Sequence, residues 1–222
     1  MQSGSRLTRA FFDRPCLEVA PDLVGTHLVR RLASGERLVG RIVEVEAYLG
    51  DGSDPGSHSH RGQTPRNRAM FGAPARLYAY RIYGIHICAN VVCEPAGSGA
   101  AVLVRALEPL EGIETMRRNR GLRPEQSARE IARGPGRLAQ ALQIDLSHDG
   151  GSLLRGAITL SRPASAVSGG RVARSPRIGL SKGATLPYRF YERDSPWVCP
   201  LPRRVADPPA GSPRNEPGFV SS

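Results

Sequence analysis

Two carboxylates and a tyrosine occupy alternate positions in residues 38–49 (LVGRIVEVEAYL), a segment with the period of a β-strand. The alternation predicts one face with Val39, Arg41, Val43, Val45 and Ala47, and another with Gly40, Ile42, Glu44, Glu46 and Tyr48. A carboxylate on a strand beside an aromatic ring is suited to general-base chemistry. Periodicity does not choose between Glu44 and Glu46, and a solvated or ion-paired glutamate is the simpler interpretation of either one.

An arginine and a group of tyrosines occur in nearby strand-like segments. Arg105 lies in the middle of the apolar residues 101–107, where a charge requires a partner or a ligand. Residues 77–83 and 85–92 flank Gly84 and predict two strands joined by a tight turn. Four of the six tyrosines lie within residues 48–83. Such rings in a basic protein can stack on unpaired bases, although a single tyrosine more often packs in a core.

The charge and the absence of common motifs narrow the classes of function. The formal net charge is +11, and Lys182 is the only lysine among 31 basic residues. A chain this basic attracts polyanions such as nucleic acids. It has no Walker loop, GxSxG elbow, HExxH motif or dinucleotide-binding glycine pattern, which disfavours the enzymes that use them. The four cysteines form no CxxC pair, and we interpret them as buried thiols in a reducing compartment.

The pattern along the chain predicts one domain followed by a tail. Residues 1–205 contain no linker-like break, whereas residues 206–222 are rich in Pro, Gly and Ser and are expected to be disordered. Helices are predicted at residues 109–118, 125–133 and 134–143. No apolar run is long enough to span a membrane and no secretory signal is evident, so we expect a cytoplasmic protein.

Six segments, taken in order, resemble the alkyladenine (3-methyladenine) DNA glycosylases of the single-domain, metal-free type. The resemblance extends from about residue 11 to residue 205. The segments begin at Gly40, Ser57, Leu77, Val102, Gly134 and Arg189 and read GRIVEVEAYLG, SHSHRGQTPRNRAMFG, LYAYRIYGIHICANV, VLVRALEPLEG, GPGRLAQAL and RFYERDSPWV.

The resemblance implies a mixed α/β (α+β) domain built around a curved antiparallel sheet with surrounding helices. It also implies base-excision repair of damaged double-stranded DNA, in which an alkylated or deaminated purine is flipped out and its N-glycosidic bond is hydrolysed. No metal ion or other cofactor is implied. We expect a monomer that associates with the nucleoid when it binds DNA and leaves an abasic site. Lys182 lies away from these segments, which disfavours strand cleavage through an imine.

The family's functional residues are transferred to matching positions here. The catalytic base falls on Glu46, and Arg105 matches the arginine near the catalytic water. The base-binding residues fall on Tyr48, His58, Tyr80 and Asn90, and the tyrosine that intercalates into DNA falls on Tyr83. A second histidine, His60, is the less favoured match for the pocket histidine. This arrangement requires Glu46 to face a cavity that holds the extruded nucleotide, with aromatic rings on either side.

Two other functions remain open on the sequence. A non-catalytic nucleic-acid-binding module on the same scaffold would not need the acid at Glu46. A hydrolase of free nucleosides would need neither the net charge of +11 nor a wedge such as Tyr83.

Overall fold

A computed structural model of the chain describes residues 5–163 and 172–200. The predicted tail, residues 206–222, lies outside the described residues. The described part contains a curled sheet in which all paired strands are antiparallel, together with four short α-helices, and it confirms the predicted mixed α/β class. None of these helices is long and apolar enough to cross a membrane.

The sheet is built from eight strands in the described residues: β1 (His27–Arg31), β2 (Arg37–Tyr48), β3 (Leu77–Ile82), β4 (His86–Cys93), β5 (Ala100–Glu111), β6 (Ile158–Ser161), β7 (Val172–Ser175) and β8 (Arg189–Glu192). The order is β3-β4-β5-β2-β1-β6, with β8 paired to both β2 and β7. The helices are α1 (Arg9–Phe12), α2 (Cys16–Leu23), α3 (Ile113–Asn119) and α4 (Pro135–Ala141). Short 3-10 helices occupy Arg68–Phe71, Ala128–Glu130 and Leu146–His148.

The long strand β2 lies at the centre of the sheet. Along one edge it pairs with β5, while its other edge pairs first with β1, at residues 37–41, and then with β8, at residues 44–46. The segment that carries Glu44 and Glu46 is therefore hydrogen-bonded on both sides, and both glutamates have no solvent exposure. A central strand needs such pairing because unpaired backbone groups in the interior are unfavourable.

The two faces of β2 differ from the predicted alternation at one point. Ile42 pairs with Leu107 and Glu44 with Ala106, so Val43 is the additional residue of a β-bulge. The bulge reverses the alternation, and Ile42 packs in the main core with Val45 and Ala47 instead of sharing a face with Glu44. The predicted single-period strand is therefore wrong at Ile42.

The main hydrophobic core covers one face of the sheet. It combines alternate residues of β2, β3, β4 and β5 with α2 and α4 and with residues around α3: Val45, Ala47, Leu77, Ala79, Ala89, Val91, Val102, Val104, Cys16, Leu23, Met116 and Leu138. A second, smaller cluster of Met70, Tyr78, Val92 and Ala101 lies on the opposite face. Residues between these apolar positions are free to carry polar groups on the second face. Three of the four cysteines are buried free thiols, and Cys199 is half-buried.

The predicted helices agree with the structure to different degrees. Residues 109–111 continue β5, because Glu111 pairs with Val39, and the helix begins only at Ile113. The helix predicted over residues 125–133 is wrong: only a 3-10 turn forms there, and Arg133 joins Ala106 in a β-bridge. The helix predicted over residues 134–143 is confirmed as α4, with proline in its first turn. The predicted strands 77–83 and 85–92 are confirmed as β3 and β4.

Gly112 joins β5 to α3 in a left-handed conformation, with φ of 72°. A Cβ there would lie 2.7 Å from the carbonyl oxygen of Arg37 and would overlap the side chain of Leu38. Gly121 has a similar φ of 62° but has no atom within 4 Å of its Cβ position, so it is a matched control.

We expect Gly121→Ala to lower the free energy of unfolding by ~1 kcal/mol, the penalty for a left-handed residue with a side chain. Gly112→Ala should lower it by a further ~1–3 kcal/mol because the methyl group overpacks the junction. Urea denaturation of both variants tests this. Equal midpoints for the two variants would show that contact with Leu38 and Arg37 does not matter.

Candidate active site

A cavity of about 600 Å³ opens on the polar face of the sheet. Adjacent strands contribute Tyr48, Tyr80, Cys88, Leu103 and Arg105, whose positions follow from the register: Tyr80 pairs with Cys88, Tyr48 with Ala101, and Leu103 with both Glu46 and Asn90. The start of α4, residues 134–137, and the loop residues 178–180 complete the wall. The volume lies in the range typical of sites for small ligands.

Glu46 lies directly behind this wall. One carboxylate oxygen, Oε1, accepts a hydrogen bond from the backbone N–H of Ile178 at 2.7 Å. The other, Oε2, accepts one from the Tyr48 hydroxyl at 2.9 Å and one from Arg105 Nη1 at 3.2 Å. All three donors line the cavity, whereas Glu46 itself is completely buried and is not among the lining residues. The carboxylate is thus separated from the cavity by its own hydrogen-bond partners. The expectation that Glu46 itself faces the cavity is therefore not met, because the donors that compensate its buried charge lie in between.

Arg105 connects the two glutamates of β2. Its Nε donates to Glu44 Oε1 at 3.0 Å, while its Nη1 donates to Glu46. Glu44 is also bonded to Arg189 Nε, at 2.7 Å, and to the backbone N–H of Cys199, at 2.6 Å. Burial alone lowers the pKa of the Arg105 guanidinium, but the charges of Glu46 and Glu44 outweigh that effect and raise it. Arg105 therefore remains charged beside both acids.

A second β-bulge places Arg105. Val104 pairs with Val45 and Ala106 with Glu44, so Arg105 is the additional residue of β5. Its carbonyl oxygen accepts a hydrogen bond from the N–H of Gly134, at 3.0 Å, instead of pairing with β2. The bulge therefore brings the start of α4 to the edge of the cavity. The charge of Arg105, which was predicted to need a partner in this strand, has two partners, Glu44 and Glu46.

Aromatic rings form one side of the cavity. The rings of His58 and Tyr80 meet edge to face with centroids 4.5 Å apart, and Tyr78 stacks behind Tyr80 at 5.3 Å. His58 Nδ1 is 2.9 Å from the Tyr78 hydroxyl. Burial raises the pKa of both Tyr48 and Tyr80, and Glu46 adds to the rise, so these hydroxyls remain neutral donors. His60 is exposed and does not line the cavity.

Asn90 lies beneath this aromatic side. It is 4% exposed, and its Nδ2 donates to the backbone carbonyl of Tyr78 at 3.0 Å. Its cross-strand partners are Tyr78 and Leu103, and it shares a face of β4 with Cys88. Asn90 thus belongs to the same polar face, although it is not among the residues that line the cavity.

The turn between β3 and β4 projects Tyr83 from the protein. Tyr83 and Gly84 have φ of 53° and 73°, and Ile85 N–H donates to Ile82 O at 3.3 Å, as in the tight turns that match strand twist. Tyr83 is 80% exposed and Ile85 is 75% exposed. A left-handed conformation is unfavourable for tyrosine, so the fold holds an apolar ring in solvent at the mouth of the cavity.

Sequence reasoning missed a buried ion pair behind Tyr48. Arg177 and Asp54 form two hydrogen bonds of 2.6 Å each, and both side chains are fully buried. Neither residue lies in the segments that carry the family resemblance, and a single sequence gives no sign that two loops meet there. The segment around Lys182 is also closer to the site than predicted, because residues 178–180 line the cavity, although Lys182 itself is exposed and does not.

The described residues contain no group of three or more His, Cys, Asp or Glu side chains that could hold a metal ion. The polar atoms of the site belong instead to two carboxylates, an arginine and several hydroxyls. This arrangement is suited to general-base chemistry and to stabilising positive charge on a reacting group.

The protonation of His58 gives the site a testable pH dependence. His58 packs against the neighbouring rings but is exposed at the surface. Desolvation on the packed side, followed by the charge of Arg66, lowers its pKa below the ordinary value of 6.5. Between pH 6.5 and that lower value the unfolded chain binds a proton that the folded chain does not, so stability falls as the pH falls.

We therefore expect the melting temperature of the wild type to decrease more between pH 7.5 and pH 5 than that of His58→Gln. His60→Gln is the control, because His60 is also exposed but does not line the cavity beside Tyr78 and Tyr80, and it should follow the wild type. Thermal unfolding of the three proteins across this range measures the difference. Parallel curves for wild type and His58→Gln would show that His58 does not favour its neutral form.

Comparison with known proteins identifies the family. A family model described as methylpurine-DNA glycosylase matches residues 10–196. Relatives named "Putative 3-methyladenine DNA glycosylase" include one from Rhodopseudomonas palustris, which is 48% identical over 202 residues and aligns over 89% of this chain and 92% of its own length. Another, from Nitrobacter winogradskyi, is 50% identical over 191 residues, or 84% of each chain. A third, from Methanoculleus marisnigri, is 45% identical over 194 residues, or 86% of this chain and 97% of its own. The chain belongs to the methylpurine-DNA glycosylase family.

Proposed function

We propose that this protein is a monofunctional 3-methyladenine DNA glycosylase that flips alkylated or deaminated purines out of double-stranded DNA and hydrolyses their N-glycosidic bond. The observation that carries the proposal is the buried Glu46–Arg105 pair behind a ring-lined cavity of about 600 Å³. The net charge of +11 supports a duplex substrate rather than a free nucleoside. The acid itself favours an enzyme over a module that only binds nucleic acid.

Glu46 acts as the general base. Breaking a purine N-glycosidic bond develops positive charge on the sugar, as in other glycoside hydrolyses. The Glu46 carboxylate takes a proton from a water that attacks the anomeric carbon, and its negative charge stabilises the oxocarbenium-like sugar. The electron pair of the broken C–N bond leaves with the purine: a cationic alkylated base departs neutral, and a neutral base such as hypoxanthine takes up a proton from solvent. Arg105 holds the carboxylate in place and lines the cavity where the sugar and its phosphates enter.

Water activation requires Glu46 to be uncovered. In the structure its carboxylate has no solvent exposure and is covered by Tyr48, Arg105 and Ile178. Oε1 has a single hydrogen bond among the described residues, so it retains a lone pair for a water. We propose that entry of the nucleotide moves residues 179–180 enough to admit that water beside Oε1, while the Tyr48 hydroxyl and the Ile178 N–H keep their hydrogen bonds to Glu46.

The rings select and orient the base. Tyr48, His58 and Tyr80 line the cavity, and we expect their rings to stack on the flat face of an extruded purine. We expect Asn90, which lies on the same polar face but behind the residues that line the cavity, to discriminate between exocyclic groups. The lowered pKa of His58 keeps its ring neutral near pH 7, so His58 does not repel a cationic alkylated base.

Tyr83 is the wedge that enters DNA. Its ring projects from a tight turn at the mouth of the cavity and is 80% exposed. Inserting a ring between base pairs partly replaces the stacking lost when a nucleotide is extruded, and it bends the duplex.

The product of this reaction is an abasic site. Cleavage of the strand through a covalent imine needs an amine, and Lys182 is the only lysine of the chain. The side chain of Lys182 is exposed and is not among those that line the cavity. The protein should act as a monomer, since one chain supplies the acid, the rings and the wedge.

Glu46→Gln should retain binding to a duplex that contains hypoxanthine or ethenoadenine, because the amide fills the same space. Its single-turnover excision rate should fall by about 10²–10⁴, the range of a general base. Alkaline cleavage of the product measures the rate. Glu192→Gln, which changes a glutamate that is paired with Arg41 away from the cavity, is the control.

Undamaged duplex and free inosine complete this experiment. Wild-type protein that binds the lesion but releases no base would support a binding module, and hydrolysis of inosine alone would support a nucleosidase. Equal excision rates for Glu46→Gln and wild type would remove Glu46 from the chemistry.

Tyr83→Ala should weaken binding to the lesion duplex by about tenfold relative to undamaged duplex, as expected for loss of one stacking ring. Tyr83→Phe keeps the ring and should bind like the wild type. The change should leave the melting temperature nearly unaltered, because the side chain is 80% exposed. Fluorescence anisotropy with both duplexes measures the affinities. Unchanged lesion affinity of Tyr83→Ala would mean that the ring does not intercalate.

A further inference from the structure

We propose that Arg177, paired with Asp54, is a positioning residue of the active site that holds Tyr48 and the Ile178 amide against Glu46. This inference rests on the proposed function, since it concerns the proposed catalytic base. Arg177 does not bond to the Glu46 carboxylate, and it is not among the residues that line the cavity. It acts through two groups that touch both.

Arg177 joins three separate parts of the chain. Its Nη1 and Nη2 bind the carboxylate of Asp54, in the loop after β2, at 2.6 Å each. Nη1 also donates to the backbone carbonyl of Ala47, at 3.0 Å, between Glu46 and Tyr48. The guanidinium carbon lies 4.5 Å from the centre of the Tyr48 ring. Arg177 therefore anchors the end of β2, the loop and its own segment at one point.

This anchor controls two of the three donors to Glu46. The Tyr48 ring is packed against the Arg177 guanidinium, and its hydroxyl donates to Glu46 Oε2. Ile178, the next residue after Arg177, donates its N–H to Glu46 Oε1. The third donor, Arg105, is placed separately by β5 and Glu44. A shift of Arg177 would displace one donor on each oxygen of the carboxylate.

The surroundings of the ion pair leave it little freedom. A Cβ at Gly56 would lie 2.8 Å from Arg177 Nη2, and one at Gly183 would lie 3.0 Å from the same atom. Asp54 also accepts hydrogen bonds from the N–H groups of Leu49, at 3.2 Å, and Gly56, at 3.0 Å. The backbone thus closes around the guanidinium, and Gly56 itself lines the cavity.

Stability alone does not account for this pair. Removing two charges from water is unfavourable, and replacing a buried ion pair with apolar residues often leaves stability unchanged or improves it. Arg177 Nε is buried without a hydrogen-bond partner among the described residues, which adds to the penalty. The pair instead fixes the geometry of the site, because a planar guanidinium holds the Asp54 carboxylate, the Ala47 carbonyl and the Tyr48 ring at defined angles. Lysine has the charge but not this planar fork.

The test compares Arg177→Lys, Arg177→Met and the double variant Asp54→Asn/Arg177→Met, which leaves no unpaired buried charge. In single-turnover excision of hypoxanthine from a duplex at saturating protein, we expect all three to be slower than wild type by about tenfold or more. Affinity for the lesion duplex should change by less than about threefold, because the wedge Tyr83 and the rings of His58 and Tyr80 are not held by Arg177. Lysine should not rescue the rate.

Arg41→Met is the control for a general loss of stability, since Arg41 is bonded to Glu108 and Glu192 at the other end of β2. All assays are run below the lowest melting temperature of the set, with the folded fraction measured by circular dichroism. Arg41→Met should retain the wild-type excision rate per folded molecule.

Three outcomes would overturn the inference. A wild-type rate for Arg177→Lys would mean that charge pairing alone is required. Rates per folded molecule equal to the wild-type rate in all three variants would assign the pair to stability only. Loss of affinity equal to the loss of rate would place the effect in binding. Failure of the proposed function is distinct, because the wild-type protein would then release no base.

Discussion

Two carboxylates on the central strand, Glu44 and Glu46, are withdrawn from water, and the rest of the site is arranged around the need to compensate them. A buried carboxylate is tolerated only when donors and cations surround it. Six hydrogen bonds from five residues do so here, with Arg105 donating to both acids. Removing one of these partners would leave a charge in a medium of low polarity.

The burial of these carboxylates depends on a difference in composition between the two faces of the sheet. One face packs against the helices in the main core, and the other carries the polar groups, the rings and the cavity. Strand pairing on both sides of residues 44–46 satisfies the backbone, so the side chains there can be devoted to charge and hydrogen bonding. Two β-bulges adjust the faces: one turns Ile42 into the core, and the other aims Arg105 at the acids.

Loops supply two parts of the proposed site: the exposed ring of Tyr83 and the amide that covers Glu46. The hairpin tip holds Tyr83 in a conformation that is unfavourable for a residue with a side chain, which keeps the ring exposed beside the cavity. The 178–180 segment covers Glu46 with a single backbone amide, and it is tied to the end of β2 through Arg177. The covered acid is consistent with a base that is protected until a nucleotide enters.

The residues of the proposed site were predicted from the family resemblance, since periodicity left Glu44 and Glu46 as alternatives. The sequence by itself determined the strands around Gly84 and the helix at Pro135. These are local signals: alternation, a turn glycine and a proline at a helix start depend only on near neighbours. It could not determine the reversal at Ile42, the extension of β5 through Glu111 or the loss of the helix predicted over residues 125–133, because strand pairing overrode the local pattern there. Only the tertiary structure decided that Glu46 is covered, that Glu44 binds Arg189 and that Asp54 meets Arg177, 123 residues further along the chain. Contacts of that kind depend on how distant segments pack, and no periodicity within one segment records them.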